Sequence, residues 1–134
     1  MTSDAAIPIH EDWNVVARKD WERLHRNLRD GDAEAAGYFL QQSLEKYLKA
    51  FLIQRGWKLR KIHVLHELLS EAVAHEAALE TFRPLCEQVS GYYVLDRYPP
   101  LASSELTCET VKAEAEHAAR LIRTLFPGEP AAPA

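Results

Sequence analysis

Residues able to contact an anion or move a proton fall in three places along the chain. In QQSLEKYLKA, residues 41–50, Gln42, Glu45, Lys46 and Lys49 stand at i, i+3, i+4 and i+7, which puts them on one edge of a helix. Glu45 and Lys49 are four apart in the order that favours an ion pair. Beside an apolar seam, such an edge is either the solvated flank of a buried helix or polar trim around an interface. In RGWKLRKIHVLH, residues 55–66, Arg55, Lys58, Arg60 and Lys61 surround Trp57 and lead into His63 and His66. Cations next to an exposed indole suit phosphate contact with base stacking; the alternative is a charged inter-helix loop with Trp57 folded onto the protein. His63 comes just before a helix start, where an imidazole can bond to the free helix-end groups. His63 and His66, three apart, could meet one metal ion, but no third ligand follows at a recognisable spacing, so neither a metal nor a cofactor is expected. In YYVLDRYPP, Arg97 and Tyr98 precede two prolines. That stretch reads either as a rigid helix exit with Tyr98 tucked inward, or as a phosphate contact and a phenol lining a groove with the 42–49 edge.

Five helical segments position these residues. Trp13, Ala17, Trp21, Leu24 and Leu28 make one apolar stripe, predicting a helix over 11–30 that Gly31 and Asp32 end. Asp32 can cap a second helix with the stripe Ala36, Leu40, Leu44, Tyr47 and Phe51, closed by Gly56. A third is expected over 64–74. A fourth carries Leu79, Phe82, Cys86, Val89 and Tyr93, with Thr81 as the expected cap, so that Pro84 falls in the first turn; it ends by Tyr98. In the fifth, Val111, Ala115, Ala118, Ile122 and Leu125 follow at bundle spacing, with Cys108 just ahead of it. Residues 1–10 read as an N-terminal extension and PGEPAAPA, 127–134, as a disordered tail. Residues 11–126 then form a single domain, an all-α, up-and-down helical bundle of four to five helices.

Composition narrows the function. With 134 residues, 47% of them apolar, the chain can bury the core of one domain. Five Gly and an excess of Ala and Leu over Val and Ile favour helix over sheet. A formal charge of −4 excludes a surface that is basic throughout, so any anion site is local. Two cysteines, Cys86 and Cys108, are too few for a disulfide framework. Cys86 lies on an apolar stripe and reads as core, and neither has the basic surroundings of a nucleophile. No stretch approaches a membrane span and the N-terminus has no basic region leading into an apolar run, so a cytoplasmic protein without membrane partners is expected.

Taken in order, AGYFLQQSLEKYLKAFLIQRG, KIHVLHELL and YYVLDRYPP resemble a HEPN domain of the stand-alone prokaryotic kind. The resemblance rests on Gln42, Glu45, Lys46 and Lys49 of the second helix, on His63 with Leu65 and Leu68, and on Arg97, Tyr98 and Pro99. It implies a helical bundle that usually forms a homodimer, often paired with a minimal nucleotidyltransferase as toxin and antitoxin, and linked to nucleotide binding or metal-independent RNA cleavage. Nuclease members carry an Arg followed by four to six residues and then a His, late in the bundle. There the His would move the 2′-hydroxyl proton while the Arg holds the phosphate. Here Arg97 has no such His, and His117 precedes Arg120. The spacing occurs from Arg18 to His25, on the first helix, which does not match the family position. The leading expectation is therefore a non-catalytic or weakly active module binding nucleotide or RNA, or a nucleotidyltransferase, through Gln42, Glu45, Lys46, Lys49, His63, Arg97 and Tyr98. A metal-independent endoribonuclease toxin and a ligand-free oligomerisation subunit are the alternatives.

Overall fold

The computed structural model describes residues 9–94 and 106–131. Its helices are α1 (His10–Arg29), α2 (Ala33–Gln54), α3 (Leu65–Val73), α4 (Arg83–Val89) and α5 (Cys108–Leu125), with 3-10 segments at Ala77–Phe82 and Ser90–Val94. No strand occurs among the described residues, and none of their helices is long and apolar enough to cross a membrane. The all-α bundle expected from the sequence is the one formed.

Helix α2 is the axis. An amphipathic surface helix buries one stripe, yet 15 of the 22 residues of α2 are buried, among them Leu40, Leu44, Tyr47, Leu48 and Phe51. α1 folds back along it through a turn in which Gly31 takes a positive φ of 76°, a conformation that Gly adopts without steric cost. The Asp32 carboxylate accepts from the Ala35 amide at 3.1 Å, capping α2 as expected. Ala17, Trp21 and Leu24 of α1 are buried in the core, and Ser43 of α2 ties the pair by donating to the Ala17 carbonyl at 2.9 Å.

After Gln54 the chain does not simply reverse. Gln41, thirteen residues up α2, reaches the His63 carbonyl, so residues 55–64 return along the length of α2 before α3 begins. α3 therefore runs in the direction of α2, with Glu71 back beside Trp57. The fourth helix differs from expectation. It is broken into the 3-10 segment Ala77–Phe82, α4 and the 3-10 segment Ser90–Val94. Thr81 lies inside the first of these, and Phe82, not Thr81, is the residue before α4. Pro84 still falls in the first turn, where its missing N–H breaks no helical bond. α5 starts at Cys108 itself, which the sequence pattern puts just ahead of the helix, because the Thr107 hydroxyl accepts from the Thr110 amide at 3.1 Å. A close approach at Gly37 brings this end of α5 onto α2: a Cβ there would lie 3.0 Å from Leu106 and 3.3 Å from Tyr92. Cys86 is fully buried, and burial pushes its thiol up to about 12.

The expectation of a disordered tail does not describe residues 127–131. Phe126 caps α5 and packs near Tyr47 and Phe51, and its ring stacks with His10. Gly128 then turns with φ 94°, and Glu129 is buried. Arg18 Nε and Nη2 grip its carboxylate at 2.8 and 2.9 Å, and the Tyr47 hydroxyl donates to it at 2.6 Å. A composition that reads as disorder is overridden by one charge with two well-placed donors. Burial by itself would raise the Glu129 carboxyl, but the hydrogen bonds from Arg18 and Tyr47 outweigh it, and the group titrates below its ordinary value.

Two outcomes are expected. Phe51, 2% exposed, should cost about 3–5 kcal/mol when changed to Ala; a loss under about 1 kcal/mol in urea melts would contradict its place in the core. Glu129 has a folded pKa below its unfolded value near 4.5, so its contribution is complete above that pH and fades as the pH falls through the folded pKa. The stability gap between the wild type and Glu129→Gln should thus be constant at neutral pH and shrink on acidification below about 4.5. A gap that stays flat across a series of urea melts into the acid range would refute the ion pair.

Candidate functional site

The polar edge of α2 is not solvated. Glu45 and Lys49 are buried, 5% and 4% exposed, and their ion pair closes at 2.8 Å. Taking either charge out of water alone is costly, so the pair must stay complete. Gln41, fully buried, donates one amide hydrogen to Glu45 Oε1 and the other to the His63 carbonyl, both at 3.0 Å. Gln42 donates to Gln41 Oε1 at 2.7 Å. The Lys49 ammonium also lies over the Trp13 ring, 5.8 Å from its centroid, where the ring quadrupole attracts it. One turn from Lys49, Lys46 pairs with Asp20 of α1, which Arg23 also holds at 2.7 Å.

His63 is positioned twice over. Its ring Nδ1 stands 3.2 Å from Glu45 Oε2 and its carbonyl is held by Gln41, while 57% of the side chain stays exposed. With Nδ1–H donating to the carboxylate, Nε2 is left as the acceptor nitrogen of the neutral ring. A carboxylate orienting an exposed imidazole is an arrangement suited to proton transfer or to binding an anionic oxygen. Among the described residues, no three His, Cys, Asp or Glu side chains come together in a way that could hold a metal ion.

The basic loop is less of a patch than its sequence suggests. Trp57 is folded onto the bundle and donates to Glu71 at 3.0 Å. Arg60 is paired with the same carboxylate and lies over the indole at 5.5 Å. Arg55 covers the Phe51 ring at 3.5 Å and donates to the Phe51 carbonyl. Lys58 and Lys61 are exposed and carry no ion pair among the described residues. Arg18, one of the pair at the Arg18 to His25 spacing, is committed to Glu129. Arg97 and Tyr98 lie outside the described residues.

The structure thus joins Gln42, Glu45, Lys46, Lys49 and His63 in one region and sets Arg55 and Arg60 to structural work. Two members of the network were missed in the sequence, Asp20 and Gln41. Each sits beside an apolar stripe, at the flank of Trp21 and of Leu40, and polar residues at stripe flanks look solvated until a neighbouring element covers them.

A helical bundle built around one long buried helix, with a polar edge that fixes a loop histidine, defines the class of protein in hand. A family model for the HEPN domain matches residues 10–125, and the chain belongs to that family. No curated protein and no solved structure gives a significant match.

Changing Glu45 to Ala leaves the Lys49 ammonium buried without its partner and should cost about 3–5 kcal/mol. Replacing Glu45 and Lys49 together by Leu should recover most of that loss. Urea melts that place the single and double variants at equal stability would show that the pair is not the organising contact.

Proposed function

We propose that this HEPN domain is a binding module, working as a homodimer, that takes the phosphate of a nucleotide or RNA at the edge marked by His63, with Lys58 and Lys61 of the same loop supplying charge. The observation that carries the reading is the fixing of His63: a ring oriented by Glu45, a backbone held by Gln41, and a side chain more than half exposed. Holding an exposed side chain in this way costs conformational entropy, and a bound anion would make use of the order. Lys46 and Lys49 serve that site indirectly, by balancing Asp20 and Glu45.

Dimerisation is supported by α1. Ile9 and Val16 are 49% and 41% exposed, and with Trp13 they fall at i, i+4 and i+7, one stripe along the helix. Trp13 is the residue Lys49 covers, so the polar network borders an exposed apolar stripe, as trim borders an interface core. A minimal nucleotidyltransferase, in a toxin and antitoxin pairing, is the further partner that family membership suggests for the same edge.

The His63 and Glu45 pair favours one second reading, a metal-independent endoribonuclease with His63 as general base and Glu45 fixing its tautomer. One experiment separates the two. The purified protein and His63→Ala are incubated with a mixed RNA in EDTA, then run on a denaturing gel and, in parallel, on a native shift gel. A shift without cleavage, weakened in the variant, supports the binding module. Cleavage lost in the variant supports the nuclease. Neither shift nor cleavage overturns both.

A further inference from the structure

α1 and α5 both pack on α2 and scarcely touch each other, which leaves a groove of about 480 Å³ between them, within the size range of small-molecule sites. It lies apart from the His63 edge. Ala115 and Ala119, one helical turn apart on α5, line it together with Leu28 of α1. Larger side chains at those alanines would fill it. Arg29, in the last turn of α1, and Lys112, in the first turns of α5, face it from opposite walls. Neither has an ion-pair partner among the described residues. Glu116 is the one carboxylate in the lining, and Arg123 adds a further cation towards the other end of α5. Lys112 and Arg123 are eleven residues apart, so the groove runs for about 16 Å along the helix.

Two details restrict what fits. The tail forms a wall: Ala131 joins the lining, and Pro130 and Ala131 stand beside Arg18 and Trp21, anchored by the buried Glu129. A helix of another protein needs a groove open at both ends, whereas a groove walled by a strap suits a small molecule. Trp21 is only 6% exposed, with His25 edge-on to it at 5.4 Å, so the indole offers no open face for a nucleobase to stack on. The apolar floor is aliphatic. His25 titrates below its ordinary value, because of burial first and the nearby Arg29 second, so at neutral pH it adds an uncharged ring to the lining.

We propose that the α1/α5 groove binds a small amphiphilic anion, its apolar body on the Ala115 and Ala119 floor and its carboxylate, sulfonate or phosphate head between Arg29 and Lys112. Charge complementarity selects the anion, since cations stand on both walls at the head end. The body is held by burial of its apolar surface.

The test titrates the full-length protein with 8-anilinonaphthalene-1-sulfonate, read by its fluorescence, beside the uncharged N-phenyl-1-naphthylamine. The double variant Arg29→Gln, Lys112→Gln alters two exposed side chains and should keep the wild-type melting curve. It is expected to bind the sulfonate at least about tenfold more weakly, the loss of a charge-assisted contact, with the neutral probe unchanged. Ala119→Leu should weaken both probes, and dodecanoate should displace the sulfonate from the wild type but poorly from the double variant. Sulfonate binding that is absent, or equal in the wild type and the double variant, would overturn the proposal. If Ala119→Leu fails to fold, the dodecanoate displacement decides in its place.

Discussion

Everything in this molecule is arranged around a helix that is buried while carrying charge. α2 supplies the hydrophobic centre through Leu40, Leu44, Tyr47, Leu48 and Phe51, yet the same helix holds Glu45 and Lys49 away from water. A buried charge tolerates only a complete set of partners. That requirement reaches outwards: Glu45 needs Lys49, draws in Gln41, and orients His63. Lys46 satisfies Asp20, which binds α1 to α2 by charge as well as by apolar contact. The loop that returns along α2 is thus docked through polar bonds at one end and through Trp57 and Glu71 at the other. Specificity of register in such a docking comes from the polar bonds, since apolar surfaces alone would allow the loop to slide.

The core was readable in the sequence because helical period and burial coincide. Every residue of the α2 stripe from Ala36 to Phe51 is buried, and the turn at Gly31 and Asp32 falls where a helix end and a cap were expected. The site was only partly readable. The spacing of Glu45 and Lys49 announces an ion pair but not its burial, which depends on α1 and on the 55–64 loop, both distant in sequence. Asp20 and Gln41 gave no signal of their own. Thr81 looked like a cap because its residue type fits one, but a 3-10 segment across 77–82 moves the start of α4 past it.

The tail shows the limit of compositional reasoning most clearly. Pro, Gly and Ala carry little apolar area and few donors, so PGEPAAPA looks unable to order itself. The order comes from elsewhere: Arg18 and Tyr47 hold a preformed cradle, and a single Glu at the right distance past α5 fills it. Ordering the few residues between costs little because Phe126 is already docked against Tyr47 and Phe51.

That contact joins residues 111 apart in sequence and so closes nearly the whole described chain into a ring. Loop-closure entropy grows only slowly with length, and a contact of this span costs little more to close than one across half the domain. In mechanical terms it is a clasp: tension applied across Arg18 and Glu129 loads this pair before it reaches the rest of α1, α2 or α5, and that part of the bundle can peel only after the clasp has let go.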